Sequence, residues 1–307
     1  MGVTSVRVPG KVMLTGEYSV LHGGTAVVLP VPRYLTVTES DHTDPSKYSP
    51  VIRAAAGFPI EEIQEFECEQ KLPGIEVDYT EFYHKNSAGK ITKLGLGSSA
   101  AEAVGAVALR FERAGLSWDD HAEMIAAYAD HIHRGVQGGI GSGADVATCA
   151  FRRPIKFKHS HQEILVDQIE YSPDADRLPL NLVWSGHPAN TRDMVDRFES
   201  WLRSGDENAG KLMRQLNKAA SDVAHLWFRS KTDKLFTHLD KFVATLIACA
   251  MAADIPLILP IHAELADWAE KHGGRAKPTG AGGGDMILLV GDLPVDQLEY
   301  PVIPLEY

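Results

Sequence analysis

Apolar and polar residues alternate from Val3 to Val8, the period of a strand with one buried face, and the run meets Pro9-Gly10, which reads as a turn. Thr25–Leu29 and Tyr34–Thr38 are two more short β-prone runs, separated by Pro30 and Pro32. From about Asp41 to Lys90 the chain is polar and irregular, with only weak strand signals. The pattern then changes. Lys93–Gly115 reads KLGLGSSAAEAVGAVALRFERAG, a glycine-rich loop running into an alanine-rich helix that Gly115 ends. Ser117 is the expected N-cap of a second helix, Trp118 to about Arg134, with Asp119 and Asp120 in its first turn. That helix leads into a second glycine-rich segment, GVQGGIGSGADVATCAF.

Around Asn181 the character shifts again. Leu182–Trp184 reads as a strand, followed by amphipathic helices at Thr191–Leu202, Lys211–Trp227, Asp233–Ala252 and His262–Lys271. A third glycine-rich loop, KPTGAGGGDMILLV, feeds a strand at Met286–Val290. The most apolar stretch, FVATLIACAMAADIPLILP, is broken by Asp254, Pro256 and Pro260. It predicts a buried helix followed by a strand rather than a membrane span. Strands and helices do not alternate regularly, and there is no internal repeat or long linker. The expected class is α+β, with a boundary near residue 180 giving domains 1–180 and 181–307.

A length of 307 residues accommodates two domains, and 44% hydrophobic with 23% charged residues is an ordinary globular balance. The formal net charge of -11 argues against nucleic acid or an anionic membrane as partner. An anionic small molecule would need locally concentrated Lys and Arg. Cys68, Cys149 and Cys249 are odd in number and far apart, without CxxC or Cys/His ligand spacing. They predict reduced, mostly buried thiols rather than disulfides or a zinc site. No positive segment followed by an apolar run and a cleavage site opens the chain, so a cytoplasmic protein is expected.

Four short stretches carry the chemistry. In GLGSSAA, glycines let backbone N–H groups approach an anion at a helix N-terminus, and the serines add donors or a Mg²⁺ ligand. The same residues also suit a tight strand-to-helix turn. In GIGSGADVA, Gly139–Ala147, the Asp145 carboxylate can orient or deprotonate a hydroxyl, or cap the element that follows. In TGAGGGD, Thr279–Asp285, three consecutive glycines before a buried strand need a reason, either backbone approach to a ligand or a bulged turn. In PGKVMLTGEYSVLHGG, Lys11 follows the Pro-Gly pair and Glu17 follows Gly16. Such a lysine contacts a phosphate, polarises a nucleophile, or is a solvated surface charge.

Together, PGKVMLTGEYSVLHGG, KLGLGSSAA and KPTGAGGGD resemble the three signature motifs of the GHMP kinases in order, spacing and total length. That family is named for galactokinase, homoserine kinase, mevalonate kinase and phosphomevalonate kinase. The resemblance covers nearly the whole chain. It implies a two-domain α+β fold with the active site in the interdomain cleft, and ATP and Mg²⁺ as cofactors. Gly95, Leu96, Gly97, Ser98, Ser99 and Ala100, with Lys93 ahead of them, would hold the nucleotide phosphates without a P-loop lysine. Ser98 would help bind Mg²⁺. Gly280–Gly284, including Gly282 and Gly283, would support the phosphate loop and the substrate side.

Within the family, Tyr18 stands where mevalonate kinases carry His, and GSGADVA where they carry Pro-Ser-Gly-x-Asp-Asn. Both features, with Lys93 and the closing KPTGAGGGD, are similar to phosphomevalonate kinases. WSGHPANTRDMV, Trp184–Val195, sits where those enzymes carry a Ser/Thr-rich turn before a helix. This implies transfer of the γ-phosphoryl of ATP to 5-phosphomevalonate, giving 5-diphosphomevalonate in the mevalonate route to isoprenoids. Lys11 would be the key cation and Asp145 would orient it or the acceptor. Lys93, Ser142, His187, Thr191 and Arg192 are candidate contacts to the acceptor, and Ser19 and His22 could face it. Mevalonate kinases also use a glutamate upstream of the aspartate as a metal ligand, but HIHRGVQGGIGSGAD has no carboxylate between Asp130 and Asp145. That leaves Glu17, Gln137, or Ser98 with ATP alone. The expected partners are ATP and phosphomevalonate, with neither nucleic acid nor membrane, in a monomer or homodimer. Alternatives are a mevalonate kinase or another small-molecule GHMP kinase, the homologous diphosphomevalonate decarboxylase, and a non-catalytic nucleotide-binding regulatory homologue.

Overall fold

Small and β-branched residues cluster where this chain packs helix on helix, and alternating apolar runs where it pairs strands. The computed structural model describes residues 4–41, 44–69, 74–85, 89–139, 141–160, 163–168, 178–229 and 232–305. Val3, the expected start of the first strand, lies outside them, as does the side chain of Cys68. The chain forms two compact units. One comprises Met1–Lys11, Pro30–Ile91 and Leu96–Arg153; the other comprises Val12–Leu29, Thr92–Gly95 and Pro154–Tyr307.

The first unit is organised on the helix α3 (Ser98–Arg113), in which Ala100–Phe111 are all buried. Packed on it are α1 (Pro50–Gly57), α4 (Ala122–Gln137) and α5 (Ala144–Phe151). Gly105 lets α3 sit close to two strand residues: a Cβ there would meet Val37 Cγ2 at 2.5 Å and Val8 Cγ2 at 3.0 Å. Those valines belong to β1 (Ser5–Thr15) and β2 (Thr25–Ser40). Arg110, buried in the same helix, donates to Ala55 O at 2.7 Å, satisfying a carbonyl near the end of α1.

Several expectations for this region need correction. β1 does not turn at Pro9-Gly10 but runs on to Thr15. β2 is one strand that runs through Pro30 and Pro32. It pairs with β1, with β6 (Ile155–Ser160) over Thr25–Val28 and with β3 (Gly74–Asp78) over Thr36–Ser40, and both prolines lie outside the β6 and β3 ladders. The stretch read as irregular contains α1 and the short α2 (Gln64–Glu69). Ser49 caps α1 by accepting from Ile52 N–H, with Pro50 at the first helical position. Ser117 is not an N-cap: α4 begins four residues beyond Trp118, after His121. Trp118 is buried instead, with its indole N–H donating to Ala150 O at 2.8 Å.

In the second unit, β8 (Leu180–Trp184), β9 (Arg275–Pro278), β10 (Met286–Val290) and β11 (Val302–Leu305) form an antiparallel sheet in the order β11-β8-β10-β9. Val183, Ile287 and Leu289 form its core with Leu265 and Ala269 of α9 (Pro260–Lys271). β6 also pairs with β7 (Glu163–Gln168). The remaining helices are α6 (Thr191–Arg203), α7 (Ala209–Phe228) and α8 (Thr232–Ala252). Lys234–Ala252 is long and apolar enough to cross a membrane by length and composition alone. In this fold it packs on α7 and buries Leu235, Leu239, Phe242, Leu246 and Cys249. The strand expected after it does not form. The Leu257 carbonyl accepts instead from Gly283 N–H at 2.9 Å.

Two glycines on helices should respond in opposite ways to the same substitution. Gly105→Ala forces a methyl into Val37 and should cost about 1–3 kcal/mol. Gly135→Ala on α4 meets nothing within 4 Å and should add about 0.5–1 kcal/mol. Urea denaturation of both variants reads the difference, and equal signs would refute this account of the α3 interface.

Candidate active site

The first unit brings together the N-terminal lysine and the glycine-rich loop. Lys11 N–H donates to Leu96 O at 3.0 Å. A Cβ on Gly10 would lie 3.0 Å from Leu96 Cβ, so the Pro-Gly pair serves close approach to the loop rather than a turn. Gly97 has φ 80° and is the N-cap of α3, with no side chain capping the helix. A Cβ there would come within 2.7 Å of Lys11 Cε, so only glycine lets the lysine stem cross the loop. The first-turn N–H groups of α3, at Ser98, Ser99 and Ala100, are the donors such a helix offers to an anion. Ser98 and Ala100 are buried. Ser99 Oγ lies 3.0 Å from His133 Nε2 and accepts from Gln137 Nε2 at 3.5 Å.

Asp145 lies in the first turn of α5, behind Gly143 at φ 85°, and accepts from Val146 N–H at 3.0 Å. One turn on, the buried Cys149 thiol donates to Pro9 O at 3.3 Å. Burial pushes that thiol's pKa up; the Asp145 charge adds to the shift and the Lys11 charge opposes it. Lys11 and Asp145 are therefore both within electrostatic range of Cys149. A latch holds the loop before Asp145. Arg134 donates to Asp130 Oδ2 at 2.6 Å and to Ser142 O at 2.8 Å. Ser142 Oγ accepts from Ala144 N–H, so this side chain closes its own turn.

In the second unit, Glu17 and Lys277 form a fully buried ion pair, Nζ to Oε1 2.5 Å. The ammonium also donates to Pro278 O at 2.6 Å and Met13 O at 3.4 Å. Glu17 was expected to bind metal; its carboxylate instead answers a buried lysine, whose pKa burial pushes down while Glu17 pulls it back up. Next along, Tyr18 adopts φ 58°, stacks on Phe198 at 4.4 Å and donates to Ala281 O at 2.8 Å. Ser19 is buried and donates to Gly16 O at 3.3 Å, and His22 lies 2.8 Å from Glu199 Oε1. Both side chains are turned to protein partners rather than held for a substrate. Gly282 and Gly283 are required by packing: a Cβ would meet Leu257 Cδ1 at 2.3 Å or Met194 Cε at 2.2 Å. Lys93, His187, Thr191 and Arg192 are exposed, the last two in the first turn of α6. Gly95, at φ 76°, rests against the Asp285 carboxylate.

Residues 61–153 match the family described as GHMP kinases N terminal domain. Over that span the chain is similar to GHMP kinase N-terminal domains. A phosphomevalonate kinase from Streptomyces sp. (strain CL190) is 22% identical over 90% of this chain and 87% of its own. One from Saccharolobus solfataricus is 26% identical, covering 94% and 90%. The crystallised Streptococcus pneumoniae phosphomevalonate kinase, in complex with phosphomevalonate and AMPPNP, superposes with a TM-score of 0.72 at 18% identity, covering 94% of this chain and 92% of that one. The whole chain thus has the GHMP kinase fold, an α+β architecture.

At the glycine-rich loop the Lys11 stem packs where a Gly97 Cβ would intrude, and the start of α3 carries no side-chain cap, so its first-turn N–H groups and Lys11 are the groups suited to a nucleotide phosphate. For Mg²⁺ the fit is narrower. Among the described residues no group of three or more His, Cys, Asp or Glu side chains could hold a metal, and Glu17 is committed to Lys277. Ser98 remains as the candidate protein ligand. Sequence reasoning passed over Lys277, Asp285, Arg134 and His133. The first two stand inside the quoted KPTGAGGGD motif, but their partners lie about 260 and 96 residues away along the chain, beyond the reach of any local pattern.

Glu17→Gln strands a buried ammonium and should cost about 3–5 kcal/mol of stability. The double variant Glu17→Gln/Lys277→Met should lose less than the sum of its singles, because neither charge is then left alone. Strict additivity in denaturant melts would mean that the pair does not interact.

His262, whose Nδ1 accepts from Leu259 N–H at the start of α9, is pushed down to about 4 by burial and the Lys277 charge. Its folded pKa lies below the ordinary 6.5, so the unfolded chain binds more protons between the two values. Stability should be full above about pH 6.5 and fall by about 3 kcal/mol as pH drops to about 4. A His262→Gln variant measured over the same range should lose most of that slope.

Proposed function

We propose that this chain transfers the γ-phosphoryl group of ATP to the phosphate of 5-phosphomevalonate, giving 5-diphosphomevalonate and ADP. The observation that carries the reading is the Lys11 stem crossing Gly97 at the start of α3. A lysine held at a phosphate-binding helix start suits phosphoryl transfer, where catalysis is mostly positioning and charge compensation. The two curated relatives named phosphomevalonate kinase support the choice of acceptor.

The acceptor is a phosphomonoester whose second pKa is about 6, so at neutral pH it is largely dianionic and needs no base. One of its oxygens bonds to the γ-phosphorus as the bond to the β–γ bridging oxygen breaks, and ADP leaves with that electron pair. Lys11 offsets the negative charge shared between donor and acceptor oxygens. Asp145 orients Lys11 or the acceptor and would serve as a base only for an alcohol acceptor. The N–H groups of Ser98, Ser99 and Ala100 cradle donor phosphates, and Ser98 would hold Mg²⁺, which supplies further charge neutralisation. Our candidates for the acceptor's phosphate and carboxylate are Lys93, His187, Thr191 and Arg192, with the Ser142 turn beside Asp145. Both substrates are water-soluble polyanions, which suits a cytoplasmic reaction.

An ADP-release assay with Mg-ATP and, in parallel, 5-phosphomevalonate, mevalonate, galactose and homoserine tests the reading. Turnover is expected with 5-phosphomevalonate alone, reduced about 10²–10³-fold in Lys11→Met. Asp145→Asn should lower kcat with little change in the KM for ATP. Turnover with mevalonate instead would make Asp145 the general base, and no turnover despite ATP binding would favour a non-catalytic homologue.

A further inference from the structure

The GHMP reading gives no role to Asp285, the residue that closes the TGAGGGD loop. Its contacts converge on one turn. Asp285 N–H donates to His187 O at 2.7 Å, Asp285 O accepts from Ser185 N–H at 2.9 Å, and Oδ1 accepts from Ala189 N–H at 3.1 Å. Ser185 Oγ closes the same turn from within, donating to His187 O at 3.1 Å. Gly284 packs so tightly on it that a Cβ would lie 2.5 Å from His187 O. On its other side the carboxylate fills the space beside Gly95, where a Cβ would lie 2.4 Å from Oδ2. Asp285 itself has φ 53°, a left-handed backbone that Asp and Asn tolerate better than most residues. The turn it holds leads through the N-cap Asn190 straight into Thr191 and Arg192.

We propose that Asp285 is a positioning residue for the acceptor. It fixes the 185–189 turn and with it the exposed start of α6, so that His187, Thr191 and Arg192 are set to grip the acceptor's anionic groups. This rests on the function proposed above. An aspartate is an odd neighbour for an anion site unless its carboxylate is spent on the protein, and here Oδ1 accepts from Ala189 N–H while the carboxylate packs against Gly95. The backbone donor at Ala189 is the link a side-chain change can cut without touching any substrate contact.

Two variants separate the side chain from the backbone. Asp285→Gly keeps the left-handed conformation and removes the acceptor atom; Asp285→Asn keeps both. Hydrogen exchange of the Ser185–Met194 segment is read first, because it needs no substrate. Asp285→Gly should speed exchange there and leave α3 unchanged, and Asp285→Asn should behave as wild type. Steady-state kinetics should then show the KM for 5-phosphomevalonate raised about tenfold in Asp285→Gly, the worth of one lost backbone hydrogen bond, with the KM for ATP within twofold. The Asn variant should restore it. Unchanged exchange in Asp285→Gly overturns the proposal whatever the substrate. Equal rises in both KM values, or no rescue by Asn, reduce Asp285 to a general structural role and also overturn it. Faster exchange with a wild type that does not turn over 5-phosphomevalonate overturns the acceptor assignment and, separately, the function itself.

Discussion

Lys11 lies across Gly97, and the candidate chemistry depends on that contact. A side chain at position 97 would occupy the place of the lysine's ε-carbon, so the loop must be bare for the cation to reach it. The same demand explains Gly10, which lets the first strand approach Leu96 and pins Lys11 N–H on the loop carbonyl. Cation, loop and helix start are therefore one rigid piece of backbone. The lysine reaches its place because its own strand forms part of the cradle.

Much of this was legible in the sequence, and the failures share a cause. Helices and strands with long periodic runs, such as α6, α7, α8 and β10, stand where the pattern put them, within about two residues. The errors gather at prolines and glycines. Pro9-Gly10 and Pro30/Pro32 read as breaks, yet both lie inside continuous strands. A proline breaks a strand only where its missing N–H is needed by a neighbour, and a glycine marks a turn only where nothing else calls for a missing side chain. Both conditions are set by partners far along the chain. Ser49-Pro50 was different: it is a local helix-start signal, lost in a stretch whose polarity suggested a loop.

The site divides in the same way. Lys11, Gly97, Ser98 and Asp145 are the candidates a sequence can offer, because each sits in a motif whose chemistry is local. Glu17 shows the limit of that reasoning. A carboxylate near a phosphate motif suggests a metal ligand, but burying one without a cation is costly, and the cation here is Lys277, 260 residues on. Ser19 and His22 were drawn in by proximity along the chain to Glu17; Ser19 bonds a backbone carbonyl in the interior, while His22 pairs with Glu199 at the surface. The corrected picture leaves fewer side chains for substrate and more for holding loops in place.

That balance bears on how a chain of net charge -11 can handle two polyanions. Of the motif lysines, Lys277 is paired with Glu17 inside the fold and is not exposed to a ligand. The positive potential for a donor phosphate would then come from Lys11 and Lys93 and from the backbone N–H groups at the start of α3. Helix-end dipoles and bare amides do not change with protonation near neutral pH, and in a partly buried cradle salt screens them less than it screens an exposed basic patch. An acidic surface repels nucleic acid while a shaped cradle still admits a nucleotide. The overall charge thus favours small anionic ligands over large ones, and the glycines that look wasteful for folding are what let backbone replace side-chain charge.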